Sequence, residues 1–115
     1  MDSILNSVKK ALGPSEGYEY FDPDLIMFIN SSFSVLTQLG VGPEEGYSIE
    51  SADNVWSEFV TDIRVLGIVK EYVIISVKLL FDAPQHSSLI DVLTKRKNEL
   101  EWRLNVAVDP KEETT

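Results

Sequence analysis

Apolar residues recur at helical spacing in four stretches of the 115-residue chain. Ile4, Leu5, Val8, Ala11 and Leu12 share one face of a short segment that Asp2 or Ser3 can cap and that Gly13-Pro14 stops, which predicts a first helix over residues 3–12. Asp22-Pro23-Asp24 then supplies an N-cap acid, a proline at the first helical position and a second acid in the positive first turn. The stripe behind it, Leu25, Ile26, Ile29, Phe33, Leu36 and Leu39, predicts a helix over 23–39, with Gly40 as the left-handed residue past its end.

Residues 41–53 hold turn formers and predict an irregular loop with at most a short extended piece at Tyr47 to Ile49. Asn54 is placed to cap a short helix with Val55, Trp56, Phe59 and Val60 on one side. Asp62 opens the most apolar run, Val65 to Phe81. Its β-branched content would suit a strand, but length and phase predict a helix. Gly67, Lys70, Glu71, Ile74 and Lys78 fall on one narrow stripe, so every charge inside the run shares a face and the remainder can be buried. Those internal charges also argue against a membrane span.

Asp82-Ala83-Pro84 ends that helix, and Ser88 with Asp91 reads as a capping box opening the last one. Its core stripe is Leu89, Leu93, Leu100 and Leu104 with the Lys97 stem alongside, and Glu99 and Arg103 form a favourable i,i+4 pair. The expected fold class is therefore all-α, a small bundle of about four to five helices with one irregular loop at 41–53. Residues 1–108 form one domain whose core includes Leu25, Ile29, Leu36, Val65, Val69, Tyr72, Leu80, Leu93 and Leu100. The tail at 109–115 has nothing to bury and is expected to be disordered.

Composition narrows the chemistry. Hydrophobic residues at 43% and charged residues at 25% suit a globular domain. The absence of cysteine excludes disulfides, thiolate nucleophiles and Cys-based metal sites. With neither a basic n-region nor a long apolar h-region at the N-terminus, the product is expected in the cytosol. Net charge is −9, and it is unevenly placed. Between Lys10 and Arg64 there is no basic residue, yet that stretch holds ten acids, from Glu16 to Asp62.

No constellation points to catalysis or to a metal. His86, the one histidine, lies in the turn before the last helix beside Ser87 and Ser88, and such a turn provides neither an oxyanion hole nor a positioned base. Asp22-x-Asp24 and Glu44-Glu45 lack the spacing of a calcium loop. Gly40-x-Gly42-Pro43 is followed by acids rather than by the lysine of a phosphate loop, so it reads as a helix stop. Lys95-Arg96-Lys97 is the one basic run, and without interleaved aromatics it reads as a solvated helix face.

Two surfaces stand out instead. Opposite the core stripe of the second helix lie Met27, Asn30, Ser31, Ser34 and Gln38, and no charge occurs from Leu25 through Pro43. An uncharged face of this kind suits burial against another protein, the alternative being a chance run of polar residues. On the last helix Trp102 lies across from the leucines, near Val92, Lys95 and Val106. It is either an interface residue or packs against the first helix.

The segments Phe21-Asp22-Pro23-Asp24-Leu25-Ile26-Met27-Phe28-Ile29-Asn30, Leu39-Gly40-Val41-Gly42-Pro43, Leu79-Leu80-Phe81-Asp82-Ala83-Pro84 and Glu99-Leu100-Glu101-Trp102-Arg103-Leu104, in this order, resemble the head–tail connector (adaptor) proteins of tailed bacteriophages and prophages. The resemblance implies a small, mostly helical structural protein with no catalysis and no cofactor. It implies a ring of identical subunits below the portal that extends the DNA channel toward the tail. The partners would be other copies, the portal protein and a tail-side adaptor, with DNA passing through unbound. The location would be the virion, and the bacterial cytoplasm during assembly. No site residue carries over, because the family's function lies in assembly. A competing reading of the acidic block is a free acidic binding module, a DNA mimic or an inhibitor that fills a basic cleft. That reading has no use for two uncharged or aromatic outer faces.

Overall fold

A computed structural model describes residues 3–13, 19–81 and 84–108. Four helices follow one another: α1 (Ile4–Leu12), α2 (Asp22–Gln38), α3 (Ile63–Phe81) and α4 (Ser87–Val108), with a 3-10 turn at Trp56–Glu58. Among the described residues the isolated β-bridge between Ser3 and Val55 is the one strand-like pairing. The expected all-α bundle with an irregular loop is what forms. The expected tail at 109–115, the possible Asp2 cap and the stop residues Pro14, Asp82 and Ala83 lie outside the described residues.

Local chemistry sets most helix ends. Ser3 caps α1, its Oγ accepting from the Asn6 amide at 3.2 Å, and Gly13 closes the helix at φ 113°. After α2, Gly40 at φ 90° donates to the Thr37 carbonyl (3.0 Å) and Val41 to the Leu36 carbonyl (2.9 Å), a Schellman closure that uses the left-handed glycine.

Three expected caps are not used as such. Asp22 lies within the first turn of α2, with Phe21 in the cap position, and its carboxylate meets Lys9 Nζ at 2.9 Å. Lys9 is 1% exposed, and an ammonium taken out of water needs that anion more than the helix end needs a cap. Asn54 does not cap the 3-10 turn. Its side-chain oxygen accepts from the Glu50 and Ser51 amides, and its amide donates to Glu58 at 3.0 Å. Ser88 falls inside α4, which starts at Ser87 with the His86 carbonyl accepting from Leu89 and Ile90.

Helix α3 is the axis and packs against α1, α2 and α4. It buries Val65, Val69, Tyr72, Val73, Ile75, Ser76 and Val77, while the expected polar stripe is exposed at Gly67 and half-buried at Lys70, Glu71, Ile74 and Lys78. The register of the α3–α4 pair is antiparallel, fixed by Tyr72 donating to Glu101 at 2.8 Å and by Arg96 gripping Glu71 at 2.6 and 2.9 Å. Lys97 lies over the Tyr72 ring, 5.7 Å from its centroid, which is how its stem joins the core edge.

The same register corrects the expected core. Leu25, Ile29, Leu36, Val65, Val69, Tyr72 and Leu100 are buried and Leu93 is half-buried, but Leu80 is 58% exposed and Leu89 44%. Both leucines lie next to the turn that joins α3 to α4, one at the last residues of α3 and one at the first of α4, so each is flanked by a helix end and not by a full helix face. Helix α4 accordingly buries Leu100 and Leu104 in its C-terminal half, where Val108 comes back to Gly40.

The irregular segment between α2 and α3 is pinned rather than loose. Asn30 of α2 donates to the Ile49 carbonyl (3.1 Å) and accepts from the Ile49 amide (2.7 Å), doing for one residue what a neighbouring strand would do. Phe33, Tyr47, Trp56 and Phe59 close around the join, with Phe33 and Phe59 centroids 4.5 Å apart. A Cβ at Gly42 would lie 2.4 Å from the Phe59 ring, so the loop can pass there only as glycine.

The different roles of these residues predict different costs. Lys9→Ala leaves Asp22 without its cation and is expected to lower stability by about 3 kcal/mol, whereas Leu80→Ser is expected to cost less than about 0.5 kcal/mol. Urea unfolding of the two variants beside the wild type checks both values.

Candidate assembly surfaces

With dimensions of 51 × 35 × 20 Å, the protein is a slab about two helices thick. Only α3 is covered by three neighbours. Helices α2 and α4 each keep a face turned to solvent, and the residues singled out from the sequence lie there.

On α2, Met27 is 57% exposed, and Ser31, Ser34 and Gln38 are exposed. Asn30 is half-buried, its amide committed to Ile49. It holds the loop within the subunit, a duty that helical phase alone could not distinguish from a place on the outer face. Because the loop stands beside α2, the face is a groove of about 360 Å³ and not a plane. Ser34, Thr37 and Gln38 form one wall and Glu45, Tyr47 and Ser48 the other. The loop wall was invisible in the sequence, where only the short extended piece at Tyr47 to Ile49 hinted at it.

On α4, Val92 (59%), Trp102 (67%) and Val106 (45%) are exposed and follow one another at spacings that keep them on one face. The exposure of Trp102 decides against its packing on α1. Between Val92 and Trp102 the stripe carries a ladder in which Arg96 reaches Glu99 at 3.2 Å and Glu99 reaches Arg103 at 2.8 Å. The i,i+4 pair expected at Glu99 and Arg103 is therefore present.

Electrostatics in the subunit is that of paired carboxylates. Hydrogen bonds from Arg96 hold Glu71 below the usual glutamate range, and Arg103 does the same for Glu99. The Arg64 side chain lowers Asp62, and hydrogen bonds from Tyr47 and Asn54 lower Glu58. Burial, followed by the neighbouring carboxylates Glu58 and Glu101, raises the phenols of Tyr47 and Tyr72. None of these groups converges on a common point. Among the described residues no group of three or more His, Asp or Glu could hold a metal ion, and no helix is long and apolar enough to cross a membrane. His86 is exposed at the start of α4, away from any such cluster.

The sequence model of the phage connector protein family matches residues 4–111. The chain belongs to the phage connector protein family. Neither a curated protein nor a solved structure matches it. Membership in this family gives the chain a structural role in the virion, among other head and tail proteins.

The lowered carboxylates give a signed pH dependence. A carboxylate whose folded pKa lies below its unfolded value of about 4 contributes stability that is fully present above that value and is lost as pH falls through the folded pKa. Stability is expected to be level from about pH 7 to pH 5 and to drop below about pH 4. Glu71→Gln should show a smaller acid-induced drop than the wild type, measured by urea unfolding at each pH.

Proposed function

We propose that this connector protein is the repeating subunit of a ring below the portal, extending the DNA channel toward the tail, with the portal protein on one side and a tail-side adaptor on the other. The observation that carries the proposal is that the folded subunit leaves two separate faces uncovered, one on α2 and one on α4, each with large apolar side chains exposed. A closed ring of identical subunits needs two different lateral surfaces that meet head to tail. One subunit with one patch would suffice for a twofold dimer or for a module that binds a single cleft.

The charge distribution supports the conduit. DNA is held mainly through phosphate neutralisation, and a chain at −9 has few cations to offer. Of the one basic run, Arg96 is already engaged by Glu71 and Glu99, and Lys97 lies over Tyr72. A channel lined by such subunits lets the duplex slide. The alternative of a free acidic module would use the acids of the loop and leave the Trp102 stripe without purpose.

Two outcomes are expected. Ser34→Glu and Trp102→Glu should each weaken the assembly by about 2 kcal/mol or more, the range of central contact residues, while circular dichroism shows the monomer still folded. Light scattering and particle images report the assembly, and two variants that assemble normally would remove both faces from the interface. Fluorescence anisotropy of a labelled duplex should show no binding at physiological salt. Micromolar affinity that falls steeply with salt would count against a passive conduit.

A further inference from the structure

Three features of the two faces fit one another. Trp102 is the largest exposed side chain on α4 and stands 67% clear of its own subunit. The groove between α2 and the loop, at about 360 Å³, has room for an indole, and its rim offers oxygen acceptors from Ser34, Gln38, Ser48 and Glu45 for the ring N–H. A tryptophan that becomes buried needs such a partner for its one donor. Charge follows the same direction. From residue 19 to residue 62 the chain holds no Lys or Arg, whereas α3 and α4 together carry seven basic residues against four acidic ones. Lys95, exposed one helical turn toward Val92 from the Glu99 ladder, faces outward on the same side as Trp102. Glu45 lines the loop wall of the groove, and the exposed Glu44 precedes it in the chain.

We propose that the occupant of the α2–loop groove is Trp102 of a second copy of this chain, with Lys95 of that copy set against Glu45 on the loop wall. The pairing is heterologous: each subunit offers Trp102 in one direction and its groove in the other. A groove and a knob on different faces of one subunit cannot satisfy each other within it, and repetition of the contact propagates around a circle when the rotation closes. The aromatic ring supplies the buried area and the opposed charges set the sense of approach, which makes association weaken as salt rises. This inference rests on the reading of the chain as a ring subunit, and assigns which face of one copy meets which face of the next.

The test uses two properties of the sequence. Trp56 is 2% exposed and Trp102 is not, so in the free subunit acrylamide quenches Trp102 selectively. The chain has no cysteine, so introduced thiols report single contacts. Gln38→Cys, exposed on the α2 wall of the groove, and Asn105→Cys, exposed one helical turn from Trp102, are prepared as separate proteins and treated with a short bis-maleimide, alone and mixed, with or without portal protein. The expected result is that Trp102 loses most of its quenching on assembly. Cross-links should form in the mixture and not in either single variant, with a yield that falls several-fold between low and high salt. Cross-linking of one variant with itself would point to a twofold contact and overturn the pairing. Assembly with Trp102 still quenchable, or without a 38–105 cross-link, would overturn the pairing while leaving the ring intact. A wild-type chain that associates under none of these conditions would overturn both.

Discussion

Helix α3 is apolar around most of its circumference, and a helix of that kind cannot be satisfied by one packing partner. Nineteen residues long and interrupted by few charges, it demands cover from several sides at once. The rest of the protein is the answer to that demand: α1 and α2 pack against it, with Phe21 at the start of α2 meeting Phe81 at its last turn, and α4 runs back along it. The charges it does carry are placed where they can be used at the edges of this cover, Lys70 over the Trp56 ring and Glu71 against Arg96. Register along the α3–α4 pair thus comes from polar contacts, while adhesion comes from the buried apolar side chains, Leu100 and Leu104 on α4 among them.

The second constraint is the segment from Leu39 to Asp62, which is long for a connection without regular structure and is therefore expensive to order. It is held at a few strong points. Asn30 satisfies both backbone groups of Ile49, Asn54 gathers the turn before Trp56, and the aromatic group around Phe33 fixes its inner side. The Trp56 indole donates to Ser7 at 3.1 Å, and Ile4 donates to the Asn54 carbonyl at 3.0 Å, so the loop also receives α1. Ordering of the loop has a further consequence: it converts the outer side of α2 from an uncharged strip into a groove with Glu45 on its far wall.

Periodicity made the helices legible because each one buries a continuous stripe, and glycine made their ends legible because Gly13 and Gly40 adopt backbone angles that other residues resist. Capping side chains were read less well. Asp22, Asn54 and Ser88 each have the right chemistry for a cap, but a side chain with that chemistry goes to whichever partner the tertiary fold brings closest, and for Asp22 that partner is a buried lysine. Leu80 and Leu89 have the phase of core residues and yet lie outside it, since phase specifies a face and not how far the neighbouring helix extends along it. The outer faces were visible as places where charge is missing or an aromatic is out of phase. Their shape was not, because the groove exists only once residues 45–48 lie beside α2.

The leucines at the hairpin end and the stripe on α4 describe a subunit whose fold is complete before its apolar surface is used up. Leaving a leucine exposed forgoes roughly 1.5–3 kcal/mol that burial would supply, and isolated instances of this are common on any protein surface. Here Leu80, Leu89, Val92, Trp102 and Val106 lie on one hairpin, whose helices carry more bases than acids, while ten acids and no base fall between Lys10 and Arg64. Evenly mixed charge would have made the free subunit equally soluble. Separation of charge along the chain instead gives the protein two unlike regions, and unlike surfaces are what the proposed heterologous assembly would require.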